Sequence, residues 1–245
     1  MQGNAIRKEV MKTLVKQAFV CKDSNCVLIA DKQEGIKAAE NSIARNRMLL
    51  EEYISAHPKF CYTLKPIPSP EKPLVAKLMA EAAEKANVGP MAAVAGVLAD
   101  LAVKDMVSVG CKVAVVEDGG EVSAVSNLPI DVAVAAGDEL LSKRFGFRLT
   151  EFPVGLATSS GRFSHALSFG EAEAASVFCR EAGLADAGAT AVGNAVKSED
   201  WQSAIEAGIN MAKSIGGVEG AMILYKGNVG TWGKIPQIIK VEPTT

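Results

Sequence analysis

Val113-Ala114-Val115-Val116-Glu117-Asp118-Gly119-Gly120-Glu121-Val122-Ser123-Ala124-Val125 reads as strand, turn, strand. Valine-rich runs flank a charged Gly-Gly pair, and consecutive glycines supply the positive φ that a tight hairpin turn demands. The same grammar appears upstream. Val10, Leu14 and Phe19-Val20 lead into a polar Lys22-Asp23-Ser24-Asn25 turn and then Cys26-Val27-Leu28-Ile29-Ala30, a second hairpin. Downstream, strands are expected at Ile130 to Ala136, at Phe145 to Phe152, and around Ala221–Tyr225 and Ile235–Val241. Ala172 to Arg180 is ambiguous between strand and helix.

Helices come in runs of their own. Glu34 to Ala56 places Ile36, Ile43, Leu50 and Ile54 on one face, the pattern of a long amphipathic helix. Pro58, Pro66, Pro68, Pro70 and Pro73 make 57–73 an extended linker. Leu74 to Lys85 is a second helix, Asn87-Val88-Gly89-Pro90 breaks and restarts the chain, and Met91 to Val103 is a third, apolar apart from Asp100. Leu184 to Val196 is a further small-residue helix, and Trp201 to Ile215 an amphipathic one. Hairpin-grouped strands and consecutive helices, rather than strict βα alternation, indicate an α+β fold with mostly antiparallel sheet and packed Ala-rich helices. The two Ala-rich helices, each beside a hairpin-rich region, suggest a loose internal duplication. A single domain over 1–245 is expected, with the alternative of two interlocked subdomains: about 1–86 plus the C-terminal strands, and about 87–200.

Composition narrows the function. Half the residues are apolar (49%), 37 are alanine, and only 5% are aromatic, which favours helices packed closely through small side chains. The formal net charge is −2 with the charges scattered, so a nucleic-acid backbone finds no concentrated basic surface. The five cysteines are widely spaced and read as reduced thiols of a cytoplasmic protein. No apolar run reaches the ~18–20 residues that span a bilayer, and no signal peptide is visible, so no membrane partner is expected. Two histidines, His57 and His165, cannot build a multi-histidine metal site within one chain.

Three local patterns could carry chemistry. Asp118-Gly119-Gly120-Glu121 is a β-turn, or a bared backbone that a ring or phosphate can approach. Ala157-Thr158-Ser159-Ser160-Gly161-Arg162-Phe163-Ser164-His165 is a polar loop, or an anion cradle of hydroxyls with Arg162 as the charge. In Ala185-Asp186-Ala187-Gly188-Ala189-Thr190, Asp186 and Thr190 share a helix face one turn apart. That pair is a helix-capping Asp beside an innocent Thr, or two hard oxygen ligands of the kind Mg²⁺ takes.

In order and spacing, these stretches together with Asn87-Val88-Gly89-Pro90 resemble the ApbE-type flavin transferases. Those enzymes use Mg²⁺ to split FAD and attach its FMN half to a Thr or Ser of a client protein. An uncharacterised cytoplasmic branch of that superfamily is similar over nearly the whole chain, His57-Pro58 and Val88 to Gly96 included. The resemblance implies a T-fold-related α+β architecture. It puts Asp186, Thr190 and a backbone carbonyl near Gly89-Pro90 at the Mg²⁺, and Gly119, Gly120 and Glu121 against FAD or FMN. Thr158, Ser159, Ser160 and His165 would surround the diphosphate, with Arg162 and His165 as the candidate catalytic pair. The transferases carry Lys-Gly shortly after the helix-start Gly, where this chain has Ala93-Val94. The ligand class implied is a small nucleotide, with another phosphate-bearing or anionic cofactor, or a structural assembly role, as alternatives. The apolar helices point to a homodimer.

Overall fold

The computed structural model describes residues 14–134, 145–159 and 171–241. β1 (Val15–Cys21) and β2 (Ser24–Ala30) form an antiparallel hairpin closed by Lys22 in the left-handed region, φ 54°. Helix α1 (Gln33–Ala56) follows and buries Ile36, Ala39, Ile43 and Leu50, the stripe its periodicity marks. The proline-rich stretch departs from the extended linker expected of it, because Lys59–Tyr62 forms one helical turn, α2. Pro58 enters with φ −57°, already helical, and Phe60 anchors the turn in the core.

Helix α3 (Leu74–Ala86) ends at Asn87 with φ 54°, and the Val88 amide donates back to Ala83. A 3-10 turn (Pro90–Ala93) then leads into α4 (Val94–Ser108). This helix starts three residues later and runs five further than its apolar run suggested, since Lys104 and Asp105 continue it along its solvent side. The hairpin β3 (Val113–Asp118) and β4 (Glu121–Ser126) turns at Gly119 and Gly120, φ 70° and 115°. The remaining elements are β5 (Ile130–Ala133), β6 (Phe145–Leu149), β7 (Val154–Ser159), β8 (Ala174–Cys179), α5 (Ala182–Ala195), α6 (Trp201–Ser214), β9 (Val218–Tyr225), β10 (Asn228–Gly233) and β11 (Gln237–Lys240). The ambiguous 172–180 stretch is thus a strand.

Among the described residues the strands form two sheets, ordered β1-β2-β3-β4-β7-β8-β9-β10 and β11-β6-β5, with every pairing antiparallel. Helices cover one face of the large sheet, and the small sheet covers part of the other. Alternation sets the two cores. Ala114 and Val116 pack under α1 and α4, whereas Val113, Val115, Val122, Leu156 and Phe178 face Phe147 and Leu149 of the small sheet. β10 escapes a pattern search because Gly230 and Gly233 interrupt it. Gly230 is needed there, since a Cβ would lie 2.1 Å from the Ile205 side chain of α6.

The Ala-rich helices α4 and α5 meet in close contact. A Cβ on Gly96 would sit 2.2 Å from the Ala182 carbonyl oxygen, and one on Gly183 would sit 2.5 Å from Val97. Only glycine lets the two backbones approach this far. No single helix among the described residues is long and apolar enough to cross a membrane.

Candidate functional site

At the α4–α5 crossing each helix lends an aspartate to the other's N-terminus. Asp100 of α4 accepts hydrogen bonds from the Ala182 and Gly183 amides, both at 2.9 Å, and from Ser123 Oγ at 2.7 Å. Asp186 of α5 accepts from the Gly96 amide at 3.0 Å. The first amides of a helix have no partner within it and carry its positive pole, so a carboxylate fits there on both counts. Asp186 is therefore a cap, but of the neighbouring helix rather than its own.

The two aspartates differ in their surroundings. Asp100 has three donors. Asp186 has fewer, and it lies beside the β3–β4 hairpin, close enough to Asp118 and Glu121 for their charges to act on one another. Burial first, and then the neighbouring carboxylates, push the Asp186 carboxyl up to about 7 despite its bonds to the α4 amides. Glu121 is raised well above the usual range by burial and by the Asp186 charge. Asp100 and Asp118 are raised by burial as well, with their hydrogen bonds opposing it. Several carboxylates thus crowd one half-buried spot, a costly arrangement unless protons or a cation neutralise it.

The glycine turn is held from below. Glu117 Oε1 accepts from the Gly120 amide at 2.8 Å. Asp118 accepts from Ser24 Oγ at 2.8 Å and from the Asn25 amide at 3.1 Å. Arg47, reaching from α1, donates to Ser24 Oγ at 2.9 Å and pairs with Asp23. The upper side is open: a Cβ on Gly120 would meet nothing within 4 Å, and one on Gly119 only Glu121 Oε2 at 3.4 Å. At Gly120 a ligand can reach the backbone without displacing a side chain, and at Gly119 it would meet the Glu121 carboxylate.

The structure brings together Asp186, Glu121, Gly119 and Gly120. Thr190 is half-buried one turn along α5 from Asp186, and Pro90 is buried at the start of the 3-10 turn that feeds α4. Thr158 and Ser159 lie in β7 rather than in the loop expected for them. Thr158 shares the sheet face of Leu156 and Phe178, away from the helices, and its hydroxyl lies 2.8 Å from Ser176 Oγ. It is thus separated from Asp186 by the sheet. Ser159, the last residue of β7, is half-buried on the helix side of the alternation. Ser160, Arg162 and His165 lie outside the described residues.

Sequence reasoning gave no role to Asp100, Ser24 and Arg47, and took Asp118 only as part of the turn. The one signal was Asp100 itself, a lone charge in an apolar helix, whose partners lie 82 and 83 residues away. Among the described residues no group of three or more His, Cys, Asp or Glu is arranged to hold a metal. A cation here would rest on Asp186, Glu121 and neutral oxygens.

Comparison with known proteins adds three findings. A family model described as "AbpE bacteria" matches residues 10–229. A UPF0280 protein of Methanosarcina acetivorans is 36% identical over 238 residues, covering 96% of this chain and 93% of its own length, and one of Methanococcus vannielii is 37% identical over 235 residues, with 94% of each chain covered. The fold matches that of a flavinyl transferase ApbE from Pseudomonas stutzeri in its apo form, at a TM-score of 0.56 and 13% identity, covering 90% of this chain and 95% of that one. An ApbE protein from Thermotoga maritima gives the same TM-score and identity over 94% and 97% of the two chains. These structures share the mixed α/β architecture with mostly antiparallel sheets.

Proposed function

The chain belongs to the AbpE bacteria family, and on that premise we propose that it binds a flavin nucleotide, FAD or FMN, in a Mg²⁺-dependent manner beside the Gly119-Gly120 turn. The observation that carries this reading is the crowding of Asp186 and Glu121 next to a bared glycine backbone. Two half-buried carboxylates repel each other, and a divalent cation between them and a phosphate would remove that cost. The donor set fits Mg²⁺, which prefers hard oxygens, takes few protein ligands and completes its octahedron with phosphate and water. Asp186, Glu121, Thr190 and a carbonyl near Pro90 are the oxygens proposed to hold it. The likeness in fold to the flavinyl transferase ApbE of Pseudomonas stutzeri supports the flavin as the nucleotide.

Bound there, Mg²⁺ would supply positive charge to a diphosphate. The chain's own residues do the rest. The Gly96 amide fixes the Asp186 carboxylate, and Glu117, Asp118 and Ser24 hold the turn rigid. The open backbone at Gly119-Gly120 then seats the nucleotide. Arg162 and His165 are proposed to neutralise phosphate charge and to position an attacking or leaving group in FMN transfer or diphosphate cleavage.

A second reading rests on Ala93, which is fully buried where the resembling transferases carry Lys. A buried methyl brings no charge to a diphosphate, and one lost electrostatic contact of this kind costs about 3 kcal/mol of barrier. This favours a protein that holds its flavin, or another phosphate-bearing ligand, without turnover. Titration of the purified protein with FAD, with and without Mg²⁺, followed by flavin fluorescence and by chromatography for FMN and AMP, tests both. Mg²⁺-dependent quenching that is lost in Asp186→Asn supports the proposal. Quenching without FMN or AMP release selects the second reading, and no quenching, or quenching indifferent to Asp186, rejects both.

A further inference from the structure

On the far face of the large sheet lies a cavity of about 280 Å³, between the two sheets. Its walls come from the end of β6, the 150–153 corner, Val154 at the start of β7, Phe178 to Arg180 at the end of β8, and 234–236 after β10. It opens on the opposite face of the large sheet from the Asp186 site. Val154 pairs with Ala124, in the middle of β4 beyond the glycine turn, and Phe178 faces the small sheet rather than the helices.

Two backbone features shape it. The β8–β9 register slips between Phe178 and Cys179, so that Phe178 pairs with Gly220 and Cys179 with Val218, leaving Glu219 as the extra residue. Such a bulge re-aims a side chain. Gly233, with φ 74°, bends the end of β10, and the Lys234 amide donates to the Glu219 carbonyl at 2.9 Å, which draws Lys234-Ile235-Pro236 across the opening. A Cβ at Gly220 would lie 2.2 Å from the Lys234 carbonyl oxygen, so this closeness is built in.

The chemistry of the lining is mixed. Leu149, Phe152, Val154, Phe178 and Ile235 supply the apolar part of the lining, which is otherwise polar. Of the four charged residues that line it, Lys234 and Glu151 pair with each other at 3.2 Å. Arg180 and Glu219 are exposed and make no ion pair among the described residues. One free guanidinium and one free carboxylate thus border a hollow whose lining is part apolar and part polar. An anion would be repelled by Glu219 and a cation by Arg180, while a molecule carrying both charges satisfies each. The volume is small for a ligand pocket and on the scale of a compact molecule.

We propose that this cavity binds a small zwitterion with an apolar body, the chemistry of a free hydrophobic α-amino acid, its carboxylate on Arg180, its ammonium on Glu219 and its side group against Phe178 and Phe152. The site is independent of the flavin reading.

The test uses L-phenylalanine as probe, with 3-phenylpropionate, which lacks the ammonium, and N-acetyl-L-phenylalaninamide, which lacks both charges, as comparators. Binding to the full chain is read by amide NMR shifts of Cys179, Arg180 and Glu219. L-phenylalanine should bind about tenfold more tightly than 3-phenylpropionate and about a hundredfold more tightly than N-acetyl-L-phenylalaninamide, and Arg180→Gln and Glu219→Gln should each weaken it about tenfold, the scale of one charge-assisted contact. Both substitutions fall on exposed side chains and leave the fold intact. No shifts with L-phenylalanine, equal binding of 3-phenylpropionate, or indifference to both substitutions would overturn the proposal. Mg²⁺-dependent FAD quenching in Arg180→Gln should match the wild type, which keeps the two sites' outcomes apart.

Discussion

Replacing Asp100 by alanine should be among the most damaging single polar changes in this chain, although Asp100 is proposed to touch no ligand. Its carboxylate accepts from two backbone amides at 2.9 Å and from Ser123 Oγ at 2.7 Å. Alanine leaves the two α5 amides with no acceptor at a helix crossing packed as closely as Gly96 and Gly183 allow. Each orphaned buried donor costs about 1–3 kcal/mol, and the lost cap lies within that range. Ser123 can rotate to another acceptor, and relief of the carboxylate's burial offsets part of the loss. The net expectation is about 3 kcal/mol, or a fall in Tm of about 6–12 °C for a chain of this size. Asp100→Asn keeps one acceptor oxygen and should cost about half as much. Asp186→Asn should cost less than about 1 kcal/mol at pH 8, because it removes a charge from a crowded spot while keeping an acceptor for Gly96. Urea denaturation of the three variants measures this ranking. An Asp100→Ala variant within about 0.5 kcal/mol of wild type, or an Asp186→Asn variant as unstable as Asp100→Ala, would refute the reciprocal-cap argument.

Stability should also depend on pH in an unusual direction. Because the folded Asp186 carboxyl is pushed up to about 7, the native state holds a proton that the unfolded chain releases near 3.8, so stability is greatest at the acid end and declines as pH rises to about 7. Differential scanning fluorimetry should show this slope in wild type and a flatter one in Asp186→Asn; equal slopes would contradict it. Gly96→Ala forces a methyl toward a backbone carbonyl 2.2 Å away and should destabilise by about 2–3 kcal/mol, with a measured cost near zero counting against the close crossing. In the native protein at pH 8, a thiol-selective disulfide reagent should label exposed Cys61 quickly and spare Cys179, whose burial and carboxylate neighbours push its thiol up to about 12. Equal labelling of Cys61 and Cys179 would be the contrary result.

The elements were largely legible because their signals are local. The Ile36–Leu50 stripe, the Gly119-Gly120 turn and the two Ala-rich helices each announce themselves within a dozen residues. What stayed hidden depends on contacts far apart in the chain. The small sheet joins Gln237–Lys240 to Phe145–Leu149 across some ninety positions, and nothing in either strand names its partner. β10 was lost because glycines that make room for Ile205 also dilute a strand pattern. At the candidate site, Asp186 and the glycine turn could be picked from motif spacing. Thr158 could not be placed correctly, because its face is set by alternation with Leu156 inside a strand that had been read as loop. The roles of Asp118 and Arg47 were hidden for the reason that of Asp100 was: they exist only once the β1–β2 turn, α1 and the β3–β4 hairpin have met.

The most direct test is where a nucleotide settles. Crystals of the full chain grown with FAD and Mg²⁺ should show a metal coordinated by Asp186, with the diphosphate against the Gly119-Gly120 backbone. Flavin seated in the cavity beside Phe178, or a metal bound away from Asp186 and Glu121, would contradict the account.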